Sequence, residues 1–236
     1  MKPYRGYAGC IDGLSLLRRA CFRPLQAVAI ALLLVLPIGA GTANATPTAS
    51  GAHVYLLRGV LNIFSLGLDT IAARLERQGI PVTVANFVSW SSLADDAAAE
   101  YRSGRVRTII LVGHSSGATA LPDMVAKLDQ LGVPVKLAIG LDSVFRTKLA
   151  GHAERYINFY VASGPGEPVT RTKDFRGALE NVDVQRVPGV GHLSIDKNEI
   201  VQQKVIGAID AAVFGRPATV SVTQGPGPAR AAAARN

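Results

Sequence analysis

Cysteine is almost missing from this sequence. The only two, Cys10 and Cys21, lie within the first 45 residues, so the remaining chain has none. A body without cysteine forms no internal disulfide, no thiolate metal site and no cysteine nucleophile. The scarcity of cysteine fits reducing and oxidising compartments equally and does not decide where the protein works.

The sequence also lacks an apolar run long enough to span a bilayer as a helix. The longest run, residues 25–38, has 14 residues, whereas a spanning helix needs about 20. Basic residues precede it and the small-residue stretch ending Ala43-Asn44-Ala45 follows it, which is the order of a secretory signal peptide. We therefore predict a signal peptide over 1–45, a linker over 46–51 and a periplasmic or secreted protein, with an uncleaved membrane anchor as the alternative.

Positive charge is not gathered into a patch. The formal net charge is +8, but residues 1–45 carry five basic residues and one acidic residue, so only +4 belongs to the rest. The remaining Lys and Arg residues are scattered among acids without interleaved aromatics, unlike a surface that binds a phosphate backbone or stacked bases. We expect no nucleic-acid partner, and contact with a membrane only through the N-terminal segment.

The 48% of apolar residues excludes a disordered chain and favours one globular unit. Short aliphatic runs alternate with helical patterns, which is typical of a parallel sheet with helices on both faces. Six runs are predicted as strands, at 54–57, 82–87, 106–112, 135–141, 156–162 and 182–187. The third is continuously apolar, as expected of a central strand buried on both faces. We predict an α/β domain over 52–214 and a disordered tail, rich in Pro, Gly and Ala, over 215–236.

Four segments between or after these runs are predicted as helices. The first carries apolar residues at 68, 71, 72 and 75 and ends at Gly79, the second lies around 95–101, and the third covers 116–131. Pro122 is expected to kink or restart the third helix. The fourth is predicted to begin near Asp196, capped by that residue together with Glu199.

The pentapeptide Gly113-His114-Ser115-Ser116-Gly117 matches G-x-S-x-G. It falls at the turn from the most apolar run into a predicted helix, where small neighbours let the backbone close tightly. Such a turn raises the Ser115 hydroxyl above the sheet edge and directs the Ser116 N–H toward a developing oxyanion. Ser115 is therefore predicted as a nucleophile. The alternative is a glycine-rich turn whose serines only cap a helix.

His192 is the candidate base among the four histidines. It lies in Pro188-Gly189-Val190-Gly191-His192, after the last predicted strand and before the last helix. An imidazole with a pKa near 6.5 takes and returns a proton close to neutrality. His53, before a predicted strand, and His152, in a polar loop, are predicted to be surface residues.

With these segments in this order, the chain resembles the α/β-hydrolase fold family over about 160 residues, and in particular its thioesterase-like and lipase-like members. The resemblance implies a three-layer α/β sandwich of about six mainly parallel strands. It also implies that His192 is the catalytic histidine and that the His114 ring points away from the nucleophile, as a packing or rim residue. Only about 14 residues separate the fourth and fifth predicted strands, so we expect no cap domain.

The same resemblance points to the acid and to the oxyanion hole. Gly140-Leu141-Asp142-Ser143 is similar to the segment that supplies the acid in thioesterase-domain members, which implies Asp142. Most other members take the acid after the next strand, where this chain offers Glu167 and, as a more distant candidate, Asp174. The second oxyanion amide would come from Val60 or Leu61 in Arg58-Gly59-Val60-Leu61, where Arg58 replaces the histidine of many members.

These roles predict an exported serine hydrolase that cleaves a carboxylic ester or thioester through an acyl-enzyme. Since an exported enzyme would not meet coenzyme A, an oxygen ester of a lipid, envelope or environmental molecule is favoured. An acyl thioesterase is one alternative, and a non-catalytic periplasmic binding protein on a hydrolase scaffold is another. No metal or organic cofactor is expected, because the histidines are few and distant in sequence and no phosphate-binding glycine motif occurs.

Overall fold

The structure is a computed structural model, which describes Ala49 and residues 51–215. The predicted signal peptide and the predicted tail after Gly215 lie outside the described residues, as does nearly all of the predicted linker. Among the residues that are described, none of the helices combines the length and the apolar character needed to cross a membrane.

Helices and strands alternate along the described chain. In order they are β1 (Ala52–Arg58), α1 (Gly67–Arg77), β2 (Val82–Asn86), α2 (Trp90–Arg102), β3 (Thr108–His114), α3 (Ser116–Gln130), β4 (Val135–Leu141), β5 (Lys148–Leu149), β6 (His152–Tyr160), β7 (Thr170–Arg171), β8 (Arg176–Asp183) and α4 (Glu199–Phe214). Six strands form one sheet in the order β2-β1-β3-β4-β6-β8, and all five pairings are parallel. Strands β5 and β7 form a separate parallel pair.

The sheet lies between two apolar layers because its central strands are apolar on both sides. Within β1, Val54 and Leu56 join one core while Tyr55 and Leu57 join the other. Helices α1 and α4 cover the first face, and α2 and α3 cover the second. The predicted α/β sandwich with helices on both faces is confirmed. Between β4 and β6 the described chain inserts only β5, so no cap domain stands over the sheet.

The outer strand β8 differs from its prediction. It spans Arg176–Asp183 rather than 182–187, and most of its residues are exposed or half-buried. Because β8 is an edge strand with little buried surface, its sequence RGALENVD lacks the apolar pattern that marked the inner strands. Strand β6 likewise begins at His152, four residues before its predicted start.

The start of α4 also differs from its prediction. Asn198 is the N-cap, and its side chain accepts the N–H groups of Ile200 and Val201. Asp196 is fully buried and accepts the Gly67 N–H at the start of α1 instead, at 2.8 Å.

Helix α3 was expected to kink or restart at Pro122. It continues through Pro122 as one helix, Ser116–Gln130.

Candidate active site

Ser115 sits at a strained turn between β3 and α3. Its backbone φ is 57° and ψ is −122°, a conformation that L-residues seldom adopt and that concentrates at functional sites. The two glycines of the pentapeptide make this turn possible. A Cβ on Gly113 would lie 2.4 Å from the Gly117 carbonyl oxygen, and one on Gly117 would lie 2.0 Å from the Leu57 carbonyl oxygen. The turn therefore packs so tightly on β1 that only glycine fits at both positions.

A chain of side-chain hydrogen bonds connects three distant parts of the sequence. The Ser115 Oγ lies 3.0 Å from the His192 Nε2. On the other side of the ring, the His192 Nδ1 lies 2.7 Å from the Asp142 Oδ2. The His192 side chain is 19% exposed and that of Asp142 is fully buried. The structure thus brings together the three side chains that the sequence proposed as nucleophile, base and acid, in the order that a catalytic triad requires.

Asp142 is held in place by its surroundings on the carboxyl side of β4. Its backbone φ of 57° turns the side chain toward the loop that follows β6. The Oδ1 accepts the Val161 N–H at 2.7 Å, which leaves the Oδ2 for His192. A Cβ on Gly166 would lie only 1.7 Å from the Asp142 Oδ1, so the loop can lie against the carboxylate only because residue 166 is glycine.

The other acids considered from the sequence do not reach His192. The Glu167 carboxylate lies 3.7 Å from the Arg146 guanidinium, and its side chain is 41% exposed. Asp174 is exposed in the turn before β8. Glu167 contributes through its backbone instead, because its carbonyl accepts from the buried Asn158 amide at 3.0 Å and thereby anchors the loop that carries Gly166.

The loop after β1 lies against the nucleophile. A Cβ on Gly59 would be 3.0 Å from the Ser115 Cβ and 3.4 Å from its Oγ. The Gly59 N–H is donated to the Ser65 Oγ at 2.9 Å. Within the described chain the Val60 and Leu61 amides are donated to no protein group, and Leu61 has a φ of 61°.

The two predicted oxyanion amides therefore lie on segments that border Ser115. Val60 follows Gly59 in the loop, and Ser116 is the first residue of α3, where a helix leaves its amides without intrahelical partners. Arg58 does not face the nucleophile, since it forms an ion pair with Asp69.

His114 has a role that the sequence did not reveal. It is fully buried, and its Nε2 donates to the His192 carbonyl oxygen at 2.9 Å. Its Nδ1 is then an acceptor and receives the Ser65 hydroxyl at 2.8 Å. Burial lowers the pKa of His114, which favours the neutral ring that this pattern needs.

The His114 ring therefore links three segments of the site: the loop after β1, the serine turn and the histidine loop. In the sequence, the sign of this role is Ser65, a hydroxyl residue just before α1 that does not cap the helix. Its hydroxyl is bonded to the His114 ring instead. His53 was also misjudged as a surface residue. It is largely buried and bonds the Glu100 carboxylate at 2.7 Å and the Thr83 hydroxyl at 2.9 Å.

No group of three potential metal ligands occurs among the described residues. A groove of about 740 Å³ lies between α4 and the outer strands β6 and β8, and its lining includes none of the three site residues. Two of its lining arginines are already engaged, Arg155 with Glu180 and Arg74 with Glu199. The catalytic candidates lie elsewhere, at the carboxyl edge of the sheet.

No protein-family model matches the chain, and no curated protein sequence is significantly similar to it. Among solved structures, the product of the gene lin2722 from Listeria innocua is 12% identical, with a TM-score of 0.46, over 67% of this chain and 94% of that one. LpqC, a poly(3-hydroxybutyrate) depolymerase from Bordetella parapertussis, is 12% identical, with a TM-score of 0.42, over 74% of this chain and 83% of that one. A protein assigned to the alpha/beta superfamily of hydrolases, from Xanthomonas campestris pv. campestris, is 14% identical, with a TM-score of 0.38, over 66% of this chain and 98% of that one.

The architecture itself is specific. A parallel sheet carries a strained serine at a strand-to-helix turn, and the partner acid and histidine follow it in that order along the chain. This chain therefore has the α/β-hydrolase fold.

Proposed function

We propose that this protein is an exported serine hydrolase that cleaves carboxylic ester bonds through an acyl-enzyme. The observation that carries the proposal is the continuous hydrogen-bond chain from the Ser115 Oγ to the His192 Nε2, at 3.0 Å, and from the His192 Nδ1 to the Asp142 Oδ2, at 2.7 Å. A serine capping a glycine-rich turn would need neither partner.

In the proposed mechanism, the His192 Nε2 removes the hydroxyl proton of Ser115 as the Oγ attacks the ester carbonyl carbon. The buried Asp142 carboxylate accepts the Nδ1–H, which keeps the ring in the required tautomer and stabilises the imidazolium that forms. The amides of Ser116 and Val60 donate to the oxyanion of the tetrahedral intermediate.

Collapse of this intermediate breaks the bond to the alcohol oxygen, which takes the proton from the His192 imidazolium. Ser115 is left as an acyl ester. Water then attacks the acyl carbon, and His192 takes its proton in the same way. The second intermediate expels the Ser115 Oγ, which recovers the proton and releases the carboxylic acid.

Labelling by a fluorophosphonate probe tests the nucleophile. We expect the full chain to be labelled and Ser115→Ala to remain unlabelled, because the probe phosphorylates only an activated serine. Ser92→Ala serves as the matched control, since Ser92 is exposed on α2. Labelling that survives in Ser115→Ala, or that never occurs, counts against the proposal and favours the non-catalytic alternative.

A series of p-nitrophenyl esters and acyl thioesters of increasing chain length separates the ester and thioester hypotheses. We expect higher kcat/KM on the oxygen esters at each chain length. A consistent preference for thioesters would instead identify an acyl thioesterase of the same fold.

Export is part of the same proposal and rests on residues 1–45. Expression in a bacterial host followed by mass spectrometry of the mature protein is expected to show a new N-terminus at Thr46. An intact N-terminus in the membrane fraction would identify the segment as an anchor instead.

A further inference from the structure

Exposed large apolar side chains are concentrated around the candidate active site. The described residues contain nine of them, and eight lie on segments at one edge of the sheet. We call these eight the apolar rim: Val60, Leu61, Ile63, Phe64, Leu66, Val88, Phe145 and Leu193. The ninth, Ile200, is on α4 and outside the rim.

The topology explains why the rim lies at the same edge of the sheet as Ser115. The loop after β1, Val88 after β2 and Phe145 after β4 all follow the carboxyl ends of parallel strands. Strands β1 and β4 neighbour β3, which Ser115 follows, and β2 lies one strand further out. Leu193 is the residue after His192. Apolar side chains therefore approach the nucleophile from several separate segments.

Lys197 links two segments of the rim. The Lys197 ammonium donates to the carbonyl oxygens of Phe64 and Leu193, at 2.9 and 2.7 Å, and so ties the loop after β1 to the histidine loop. Phe145 is 68% exposed, and the Arg146 side chain that follows it is 87% exposed. Arg146 lies 3.7 Å from Glu167 and Lys197 lies 3.5 Å from the buried Asp196, so of the two cations only Arg146 extends mostly into solvent.

An apolar surface of this kind marks a binding face, because soluble proteins seldom expose contiguous large apolar groups. Its position decides what can cover it. A partner protein or a second copy seated on the rim would cover the edge of the sheet at which Ser115 lies. A lipid surface would bring an ester to Ser115 while covering the same apolar side chains, and its phosphates would suit the largely exposed Arg146 guanidinium.

We propose that the apolar rim docks on the surface of an anionic phospholipid assembly, from which the enzyme takes its acyl ester substrate. This inference rests on the proposed function for the substrate, while the docking itself does not require catalysis. The proposed docking also differs from the expectation, drawn from the sequence, that only the N-terminal segment contacts a membrane.

Trp90 provides a local probe, because it is the chain's single tryptophan and lies two residues after Val88. The test uses the full chain carrying Ser115→Ala, so that no hydrolysis occurs, and vesicles of phosphatidylglycerol and phosphatidylcholine with brominated acyl chains. Docking through the rim brings Trp90 close to the bromine atoms and quenches its fluorescence. We expect quenching that saturates with vesicle concentration.

The variants locate the contact. In the same background, Ile63→Gln with Phe145→Ser is expected to raise the vesicle concentration for half-maximal quenching at least about tenfold, because two apolar side chains no longer leave water. Ile200→Gln, at a 45% exposed aliphatic position outside the rim, is expected to leave the vesicle concentration for half-maximal quenching unchanged. All variants share residues 1–45, so the N-terminal segment cannot cause a difference between them, and equal thermal midpoints exclude misfolding.

Two results would overturn the proposal: no quenching at any vesicle concentration, or equal quenching in the rim and Ile200 variants. Sedimentation identifies the alternative occupant. If the protein is not quenched and forms a dimer that only the rim variant loses, a second copy covers the rim and the proposal is overturned. Failure of docking is distinct from failure of the proposed function, because fluorophosphonate labelling of Ser115 in solution does not depend on lipid.

Discussion

Asp142 combines full burial, a strained backbone and two hydrogen bonds, one to the Val161 N–H and one to the His192 ring. The first bond holds the carboxylate and the second orients the base. A carboxylate placed in this way controls the tautomer of the imidazole, which a neutral amide cannot do.

Asp142→Asn is therefore expected to lower kcat by about 10³–10⁴-fold with little change in KM. Glu167→Gln is the matched control, since the Glu167 carboxylate faces Arg146 rather than His192. Steady-state kinetics on a p-nitrophenyl ester measures both. If Glu167→Gln loses activity while Asp142→Asn keeps it, the assignment of the acid is wrong.

Gly166 shows that the position of the acid depends on a residue without a side chain. Gly166→Ala places a methyl group 1.7 Å from the Asp142 Oδ1, so the loop or the carboxylate must move. We expect a loss of about 1–3 kcal/mol in the free energy of unfolding, together with a fall in kcat.

Gly164→Ala is the control two residues away. A Cβ there meets its nearest atom, the Val161 carbonyl oxygen, at an ordinary 3.4 Å. Urea unfolding and esterase kinetics of both variants distinguish a specific clash from general sensitivity of the loop. Equal effects at the two positions would contradict the packing argument.

At the scale of elements, the two helices on one face of the sheet begin in different ways. Helix α4 has a local cap in Asn198, whereas α1 has no side-chain cap of its own and depends on Asp196, 129 positions along the chain. This long-range contact joins the start of α1 to the loop that carries His192.

Asp196→Ala is expected to destabilise the protein by about 1–3 kcal/mol, since the buried Gly67 N–H loses its acceptor. Asn198→Ala is expected to cost about 1 kcal/mol, the usual value of a lost N-cap. Hydrogen exchange measured residue by residue separates them. Exchange should rise in the first turn of α1 in the first variant and in the first turn of α4 in the second, and the reverse pattern would refute this account.

For the whole molecule, burial and ion pairing set how stability responds to pH. Burial lowers the pKa of His114, against the opposing influence of the Asp196 carboxylate and with His192 and Lys197 also nearby. The hydrogen bond from Arg155 lowers the pKa of Glu180. Glu180 is partly exposed, so solvent screens its contribution.

The two groups act in different pH windows. Below about pH 6.5, His114 is protonated in the unfolded chain but stays neutral in the folded chain, because its folded pKa is lower. The free energy of unfolding therefore falls as the pH decreases toward the pKa of His114 in the folded chain. Glu180 contributes stability above about pH 4.3, which is lost as the pH falls through its lowered folded value.

His114→Gln is expected to lower the free energy of unfolding at pH 7.5 and to flatten its decline below about pH 6.5, while the decline caused by Glu180 at more acidic pH remains. Urea unfolding at several pH values measures this. Activity gives a second readout, because a protonated His114 can no longer accept from the Ser65 hydroxyl, which in turn accepts the Gly59 N–H beside the nucleophile. If the slope just below about pH 6.5 is the same in the variant, another group titrates there.

The sequence was sufficient to predict the α/β architecture and to single out Ser115 and His192, two of the three residues that the structure brings together. The inner strands are buried on both faces, so their apolar runs were visible, and the glycines around Ser115 and before His192 marked tight turns. The edge strand β8 was misplaced because its exposed residues carry little apolar pattern. The start of α4 was misplaced because Asp196, predicted as its cap, is buried and accepts the Gly67 N–H instead. Only tertiary structure decided which acid meets His192, since Asp142 and Glu167 both follow strands and differ in where their carboxylates point. It likewise decided the role of His114 and the gathering of the apolar rim, because both depend on segments far apart in sequence that meet at one edge of the sheet.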